Sequence, residues 1–232
     1  MNGVLFGSKH SYKDWGLLLA ERPIISPAPV KGNYLDVPNA NGLLDLTAKF
    51  GGVKYGNRDI KMKFHIMHDR KDWSELCSEI QDYLHGQDMK IILDEDPTYY
   101  YTGRLTVDEW ASSKVTSVIA ISGYVFPYKL ERFTSLEAWE WDNFNFEKGI
   151  IRDYKDLVVD GVYKLEIEGK RMEVIPTFTV SGESLDVEFN GNTYTLPLGT
   201  SEILNIILTE GHNTLTFTGH GKVSVLYQGG RL

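Results

Sequence analysis

The chain is poor in cysteine and has no long apolar run. Cys77 is the single cysteine among 232 residues, which excludes an intrachain disulfide framework and is typical of synthesis in a reducing compartment. The longest apolar run near the N-terminus, Leu17 to Ala20, is far too short to span a bilayer. Residues 1–8 lack the charged and apolar regions of a signal peptide. We therefore expect a soluble protein that is made in a cytoplasm and does not insert into a membrane.

Positive charge is also in deficit. The chain has 24 Lys and Arg against 32 Asp and Glu, a net charge of −8. This balance argues against a protein that clamps nucleic acid through a basic face, although it permits a surface past which nucleic acid slides. The hydrophobic content of 42% is that of an ordinary globular protein. The length fits one large β domain or two smaller ones.

Signatures of catalysis and of metal binding are missing from the sequence. It contains no Gly-x-Ser-x-Gly elbow and no glycine-rich phosphate loop before a helix. Among the six histidines, His65 and His68 are three residues apart at a strand end, unlike the helical pair of a zinc protease. The sequence therefore gives no catalytic, metal or cofactor-binding residue, no cofactor, and no indication of an enzyme.

A hairpin over residues 89–105 is the central element of the first half. An apolar run at 89–93 precedes a turn at 94–97, and a strand rich in aromatic and β-branched residues follows at 98–105. Alternation places Tyr99 and Tyr101 on one face of that strand and Tyr100 on the other. The acidic triplet in the turn is interpreted as solvated, because a hard cation needs more oxygen ligands than one short turn brings.

Other elements of the first half follow from periodicity. Residues 58–67 alternate as a half-buried strand, and 114–128 form a long strand that ends the first domain at Pro127. A single helix is predicted over about 72–85, capped by Asp69 or Asp72 and stopped by Gly86. Cys77 lies on its apolar stripe and is interpreted as a buried hydrophobe. The proline-rich segment 23–30 is predicted to be an edge or a connector.

Residues 32–56 contain a second hairpin. Predicted strands at 34–37 and 43–48 flank a loop tip, Asn39-Ala40-Asn41-Gly42. A lone hairpin is marginally stable in water, so this one should pack on its own core or on a neighbouring subunit.

The second half begins with an aromatic cluster and continues as β structure. Trp139, Trp141 and Phe144 either stack sugar rings or, as we favour, seal a domain junction. Asn190-Gly191 is a strong hairpin signal. Short strands with glycine turns favour a β-sandwich; they are predicted at 163–167, 174–180, 184–189, 192–196, 203–208, 214–218 and 222–227.

The order of these pieces over nearly the whole chain resembles the distal tail proteins (Dit) of long, flexible-tailed bacteriophages. The segments that carry the resemblance are His10-Ser11-Tyr12-Lys13-Asp14-Trp15-Gly16-Leu17, Pro27-Ala28-Pro29, Tyr55-Gly56-Asn57-Arg58-Asp59-Ile60, Lys90 to Tyr101 with Gly103-Arg104, Phe126-Pro127-Tyr128-Lys129, Glu210-Gly211-His212-Asn213 and Tyr227 to Leu232. Each segment alone is weak evidence for the family. The resemblance depends on their order in one chain.

The resemblance implies a mainly β fold with two domains. An N-terminal β-sandwich or barrel-like domain with one helix would occupy residues 1–135 and would assemble with copies of itself into a ring. Residues 136–160 would be a linker or junction, and 161–232 a galectin-like C-terminal β-sandwich.

The resemblance also implies a function in assembly. The protein would be a hexameric hub of the tail tip or baseplate in the virion, assembled in the bacterial cytoplasm. It would join the tail tube protein to tail-tip proteins, with a receptor-binding protein as a further partner, and leave a channel through which DNA passes without specific binding. Residues expected at the subunit interface are Tyr34, Asn39, Asn41, Leu43, Tyr99 and Tyr101. The alternative is a carbohydrate-binding module that contacts the host surface through the C-terminal sandwich.

Overall fold

The structure is a computed structural model that describes residues 3–49, 51–67, 72–112, 117–137 and 153–232. It contains two compact units, residues 1–129 with Leu232 and residues 130–231. Both are mainly β and antiparallel, as predicted. The finer division at residues 135 and 160 stays a prediction.

The first unit contains both helices and the first ten strands of the chain. Its elements are β1 (Val4–Phe6), β2 (Lys9–His10), α1 (Ser11–Trp15), β3 (Leu17–Leu19), β4 (Ile24–Ile25), β5 (Tyr34–Asp36), β6 (Leu43–Asp45), β7 (Arg58–Ile66), α2 (Trp73–Leu84), β8 (Asp88–Leu93), β9 (Tyr99–Ser112) and β10 (Ser117–Val125).

One antiparallel sheet carries the core of this unit, in the order β2-β1-β8-β9-β10-β7-β3, with β4 also on the β7 edge. The predicted hairpin is β8 and β9. Strand β9 continues to Ser112, well beyond the predicted end at 105, because its last residues pair with β10. Strand β7 alternates buried and exposed residues along its whole length, as predicted. Its buried side chains form one core with Phe6, Trp15 and the apolar stripe of α2.

Helix α2 begins and ends within one residue of the predicted 72–85. Asp72 occupies the N-cap position, but its side chain makes no capping hydrogen bond; Asp69 lies outside the described residues. Gly86 follows the C-cap with φ of 78°, a backbone conformation that glycine adopts at no steric cost and that ends the helix.

Cys77 is buried on the apolar stripe of α2, as predicted. Burial raises the pKa of its thiol to about 11. The thiolate that reacts with alkylating agents is therefore scarcer, at pH 8, by on the order of a hundredfold than in an exposed cysteine. We expect iodoacetamide to label Cys77 at least that much more slowly in the folded protein than in urea, measured by intact mass. Equal rates in the two states would contradict this placement.

A second helix, α1, was not predicted, so the expectation of one helix is incomplete. It has five residues, too few for a helical period to show in the sequence. The His10 Nδ1 atom caps it by accepting hydrogen bonds from the backbone N–H of Tyr12 at 3.1 Å and of Lys13 at 3.2 Å. Because Nδ1 accepts, Nε2 carries the proton and donates to Asp94 at 3.1 Å.

The cap gives a direct stability prediction. His10→Ala removes the cap and the Asp94 contact, so the free energy of unfolding should fall by about 1–2 kcal/mol. His10→Asn keeps a capping oxygen and should lose clearly less. Urea denaturation of the two variants beside the parent protein measures both values. Equal losses would show that the capping bonds contribute nothing.

The second unit contains the remaining strands. They are β11 (Lys129–Glu131), β12 (Leu157–Gly169), β13 (Thr177–Gly182), β14 (Leu185–Phe189), β15 (Asn192–Leu196), β16 (Gly199–Glu202), β17 (Gly211–Leu226) and β18 (Gly230–Arg231). The Asn190-Gly191 turn joins β14 to β15 with both residues at positive φ, as predicted.

One six-stranded sheet runs through this unit in the order β15-β14-β17-β13-β16, with β12 also paired to β17. Strand β17 pairs with β12 along its length, while its other side pairs first with β14 and then with β13. The change of partner falls at Gly219, which has positive φ and stands opposite Gly161, also at positive φ. The rings of Phe178 in β13 and Phe217 in β17 lie 6.1 Å apart in one core. The β-sandwich that the strand spacing indicates stays a prediction.

Three strand predictions in the second half are wrong in detail. Residues 203–208 form a turn and one isolated bridge instead of a strand, although Ile206 and Leu208 are buried. The strands predicted at 214–218 and 222–227 are one strand, because β12 pairs with β17 across the intervening glycines. Strand β16 was not predicted; it pairs with β13 at the edge of the sheet.

Candidate assembly surface

An isolated hairpin, the arm (residues 33–46), is the most exposed apolar feature of the first unit. Strands β5 and β6 form it around the predicted tip and, among the described residues, pair only with each other. A hydrogen bond from the Leu46 N–H to the Asn33 carbonyl, 2.8 Å, closes its base. Its tip turns at Asn39, with φ of 63°, a conformation that asparagine tolerates better than most residues.

The arm has no buried face. Tyr34 is 59% exposed, Leu35 50%, Leu43 61% and Leu44 50%. Side chains alternate, so Leu35 and Leu44 share one face, while Tyr34, Asp36, Leu43 and Asp45 share the other. A hairpin whose apolar side chains are at least half exposed is a surface that another protein can cover.

The predicted interface residues fall into two groups. Tyr34, Asn39, Asn41 and Leu43 lie on the arm and are exposed. Tyr99 is half-buried, with the Lys129 Nζ atom 4.5 Å from the centre of its ring. The structure does not bring the two groups into one cluster.

Tyr101 is buried, at 7% exposed, and packs in the core of the first unit. The Arg58 guanidinium lies 5.1 Å from the centre of its ring. Burial raises the pKa of the Tyr101 phenol and lowers the pKa of Arg58. So little of this tyrosine reaches the surface that we remove it from the proposed interface.

Arg58 is a feature that the strand alternation could have revealed, since it shares the inward face of β7 with Ile60. It is 7% exposed, and its Nε and Nη2 atoms have no hydrogen-bond partner. The interpretation of β7 from sequence started its apolar face at Ile60 and passed over the arginine.

The acidic turn is less solvated than expected, because each carboxylate meets a partner. Asp94 accepts hydrogen bonds from the Gly3 N–H at 2.7 Å and from His10. Glu95 pairs with Arg22 at 3.2 Å, and Asp96 pairs with Lys129. These partners are remote in sequence. The turn thus fixes the end of the hairpin and is not an open ligand site.

The described ranges contain no constellation typical of catalysis. No group of three His, Cys, Asp or Glu residues in them could hold a metal ion. The His10–Asp94 pair looks like part of a catalytic triad, but the Nδ1 atom of His10 is already occupied by backbone donors. It has no lone pair left to accept a proton from a nucleophile.

The proposed sugar-stacking residues Trp139, Trp141 and Phe144 lie outside the described residues. Within 153–232, no tyrosine or phenylalanine is among the exposed large side chains. In the part of the chain that the structure describes, no helix is both long and apolar enough to cross a membrane.

Comparison with known proteins identifies one fold. No protein-family model matches the sequence, and no curated protein matches it. The structure is similar to the crystal structure of SPP1 Dit (gp 19.1), with a TM-score of 0.65 over 100% of both chains at 12% sequence identity. That protein is described as a paradigm of the hub adsorption apparatus in phages that infect Gram-positive bacteria. The mainly β, Dit-like fold that the sequence resemblance implies is therefore confirmed.

Proposed function

We propose that this chain, which has the fold of SPP1 Dit, is a structural hub of a phage tail tip. Six copies form a ring that joins the tail tube to the tip proteins and leaves a central channel for DNA. The observation that carries the proposal is the fold match over the full length of both chains. The protein acts in the virion and assembles in the bacterial cytoplasm. Its partners are the tube protein, tail-tip proteins and a receptor-binding protein.

The arm supports assembly independently of the fold match. It presents Tyr34, Leu35, Leu43 and Leu44 to solvent, each at least half exposed. Covering these side chains in a neighbouring copy removes their apolar surface from water. A contact between an arm and a different surface of the next copy repeats head to tail, and such contacts close into a ring when the rotation allows.

The excess of acidic over basic residues supports passage of DNA through the ring. With a net charge of −8 per chain, a channel wall lined by carboxylates repels phosphate, so the genome moves without adhering.

Carbohydrate binding is the weaker alternative. It depends on Trp139, Trp141 and Phe144, and the described aromatic rings of the second unit are buried or half-buried. A glycan array with the parent chain and with Trp139→Ala, Trp141→Ala tests it. Binding by the parent chain that both substitutions abolish would revive this function.

Size-exclusion chromatography with light scattering tests the assembly. Six copies of the 26.3-kDa chain have a mass of about 158 kDa, and two stacked rings have about twice that. Either mass would support the proposal. A mass that stays that of a monomer up to high protein concentration would count directly against it.

A further inference from the structure

We propose that the acidic face of the arm binds a basic strip on strand β7 of the next subunit, and that this contact closes the ring. The acidic face is Tyr34, Asp36, Leu43 and Asp45; the basic strip is Lys61 and Lys63 with Ile24 beside them. This inference rests on the proposed function and names the two surfaces that meet.

The acidic face carries two carboxylates and no cation. Asp36 and Asp45 are exposed and make no ion pair in the chain. The Thr47 hydroxyl and backbone N–H donate to Asp45 and lower its pKa, so it stays charged in mildly acidic solution. Two carboxylates on a small apolar surface attract a partner of opposite charge.

The basic strip is the counterpart on the main sheet. Lys61 and Lys63 point outward from β7 and are exposed. Neither forms an ion pair with a carboxylate among the described residues, although Asp59 lies two residues from Lys61 on the same exposed face of β7. The neighbouring outward residues are small, Ser122 opposite Lys61 and Ala120 opposite Lys63. A flat hairpin therefore meets only small side chains directly opposite the two lysines, while Tyr124, the next outward residue of β10 after Ser122, is 59% exposed and bounds the strip near Asp59.

The spacing of the charges on the two surfaces matches. Asp36 stands opposite Leu43, so Asp36 and Asp45 are diagonal neighbours across the arm, about 7–8 Å apart. Lys61 and Lys63 are two residues apart on one strand, which places them roughly 6.8 Å apart. Two carboxylates can thus meet two ammonium groups in one register.

Apolar contacts accompany the charges. Tyr34 and Leu43 occupy the remaining corners of the acidic face, at 59% and 61% exposed. Ile24 stands beside Lys61 on the adjacent strand and is 58% exposed. Burying these three side chains together adds a hydrophobic term to the ion pairs. Because the arm and the strip are different surfaces, the contact runs head to tail around a ring.

Charge reversal on each surface tests the contact. Asp36→Lys with Asp45→Lys, and separately Lys61→Glu with Lys63→Glu, should each raise the concentration needed for half the chains to form rings by on the order of a hundredfold. Mixing the two variants should restore rings, because an alternating ring of six pairs every reversed arm with a reversed strip. Light scattering of each sample and of the mixture measures this.

The control is Glu183→Lys with Glu210→Lys, which reverses two exposed carboxylates of the second unit and should leave rings intact. Rings that persist in the Lys61, Lys63 variant would overturn the inference, as would a mixture that stays dissociated. Either result leaves the parent ring in place and so leaves the proposed function standing. A parent chain that forms no ring would refute the function itself.

Discussion

Replacing residues 34–45 with an Asn-Gly turn should convert the proposed ring into monomers while the rest of the chain stays folded. The arm pairs only with itself, so its removal takes no strand from the main sheet. The Asn33 carbonyl and the Leu46 N–H are already hydrogen-bonded at 2.8 Å, a separation that a two-residue hairpin turn spans. Light scattering gives the mass and far-UV circular dichroism the fold.

A double substitution on the arm tests whether the ring needs the side chains on the arm surface or only the presence of the hairpin. Tyr34→Asp with Leu43→Asp keeps the hairpin and replaces the two apolar side chains of its acidic face with charges, and it should also yield monomers. Leu198→Asp with Leu204→Asp is the matched control, since these leucines of the second unit are 60% and 72% exposed. Rings that form equally in both variants would remove the arm from the interface.

Gly103→Ala should lower the stability of the first unit more than a substitution at any exposed position does. Gly103 stands opposite Val125 between β8 and β10. A β-carbon there would lie 2.3 Å from the Tyr124 carbonyl oxygen and 2.6 Å from the Val125 α-carbon. Both obstacles are backbone atoms at the centre of the sheet, so the strands must move apart.

The expected cost is about 3 kcal/mol, at the upper end of values for overpacked cores. For a unit of this size the melting temperature should fall by roughly 10 °C. Thr106→Ala, on the exposed face of the same strand, is the control and should stay within about 0.5 kcal/mol of the parent. A Gly103→Ala protein that melts with the parent would show that the strands can separate at no cost.

Regular periodicity made much of this fold predictable. Alternation marked β7 because one face is buried and the other wet. The stripe at three- and four-residue spacing marked α2. The arm was predictable because its turn residues and flanking strands are local in sequence.

Features that depend on remote partners could not be read from the sequence. In the sequence, Gly219 looks like the end of the strand predicted at 214–218. In the structure β17 continues past Gly219, because β12 pairs with it there. The acidic turn looked solvated because Arg22 and Lys129 lie far away in sequence. Lys61 and Lys63 were correctly placed on the wet face of β7. That neither lysine forms an ion pair with a described carboxylate is a fact that only the structure shows.

Negative-stain electron microscopy of the purified parent chain is the most direct test of the central claim, that this protein is a ring-forming hub. We expect class averages with six-fold symmetry and a central hole, from the chain alone at micromolar concentration. Monomers of two compact lobes in every class, at all concentrations and without added tail proteins, would contradict it.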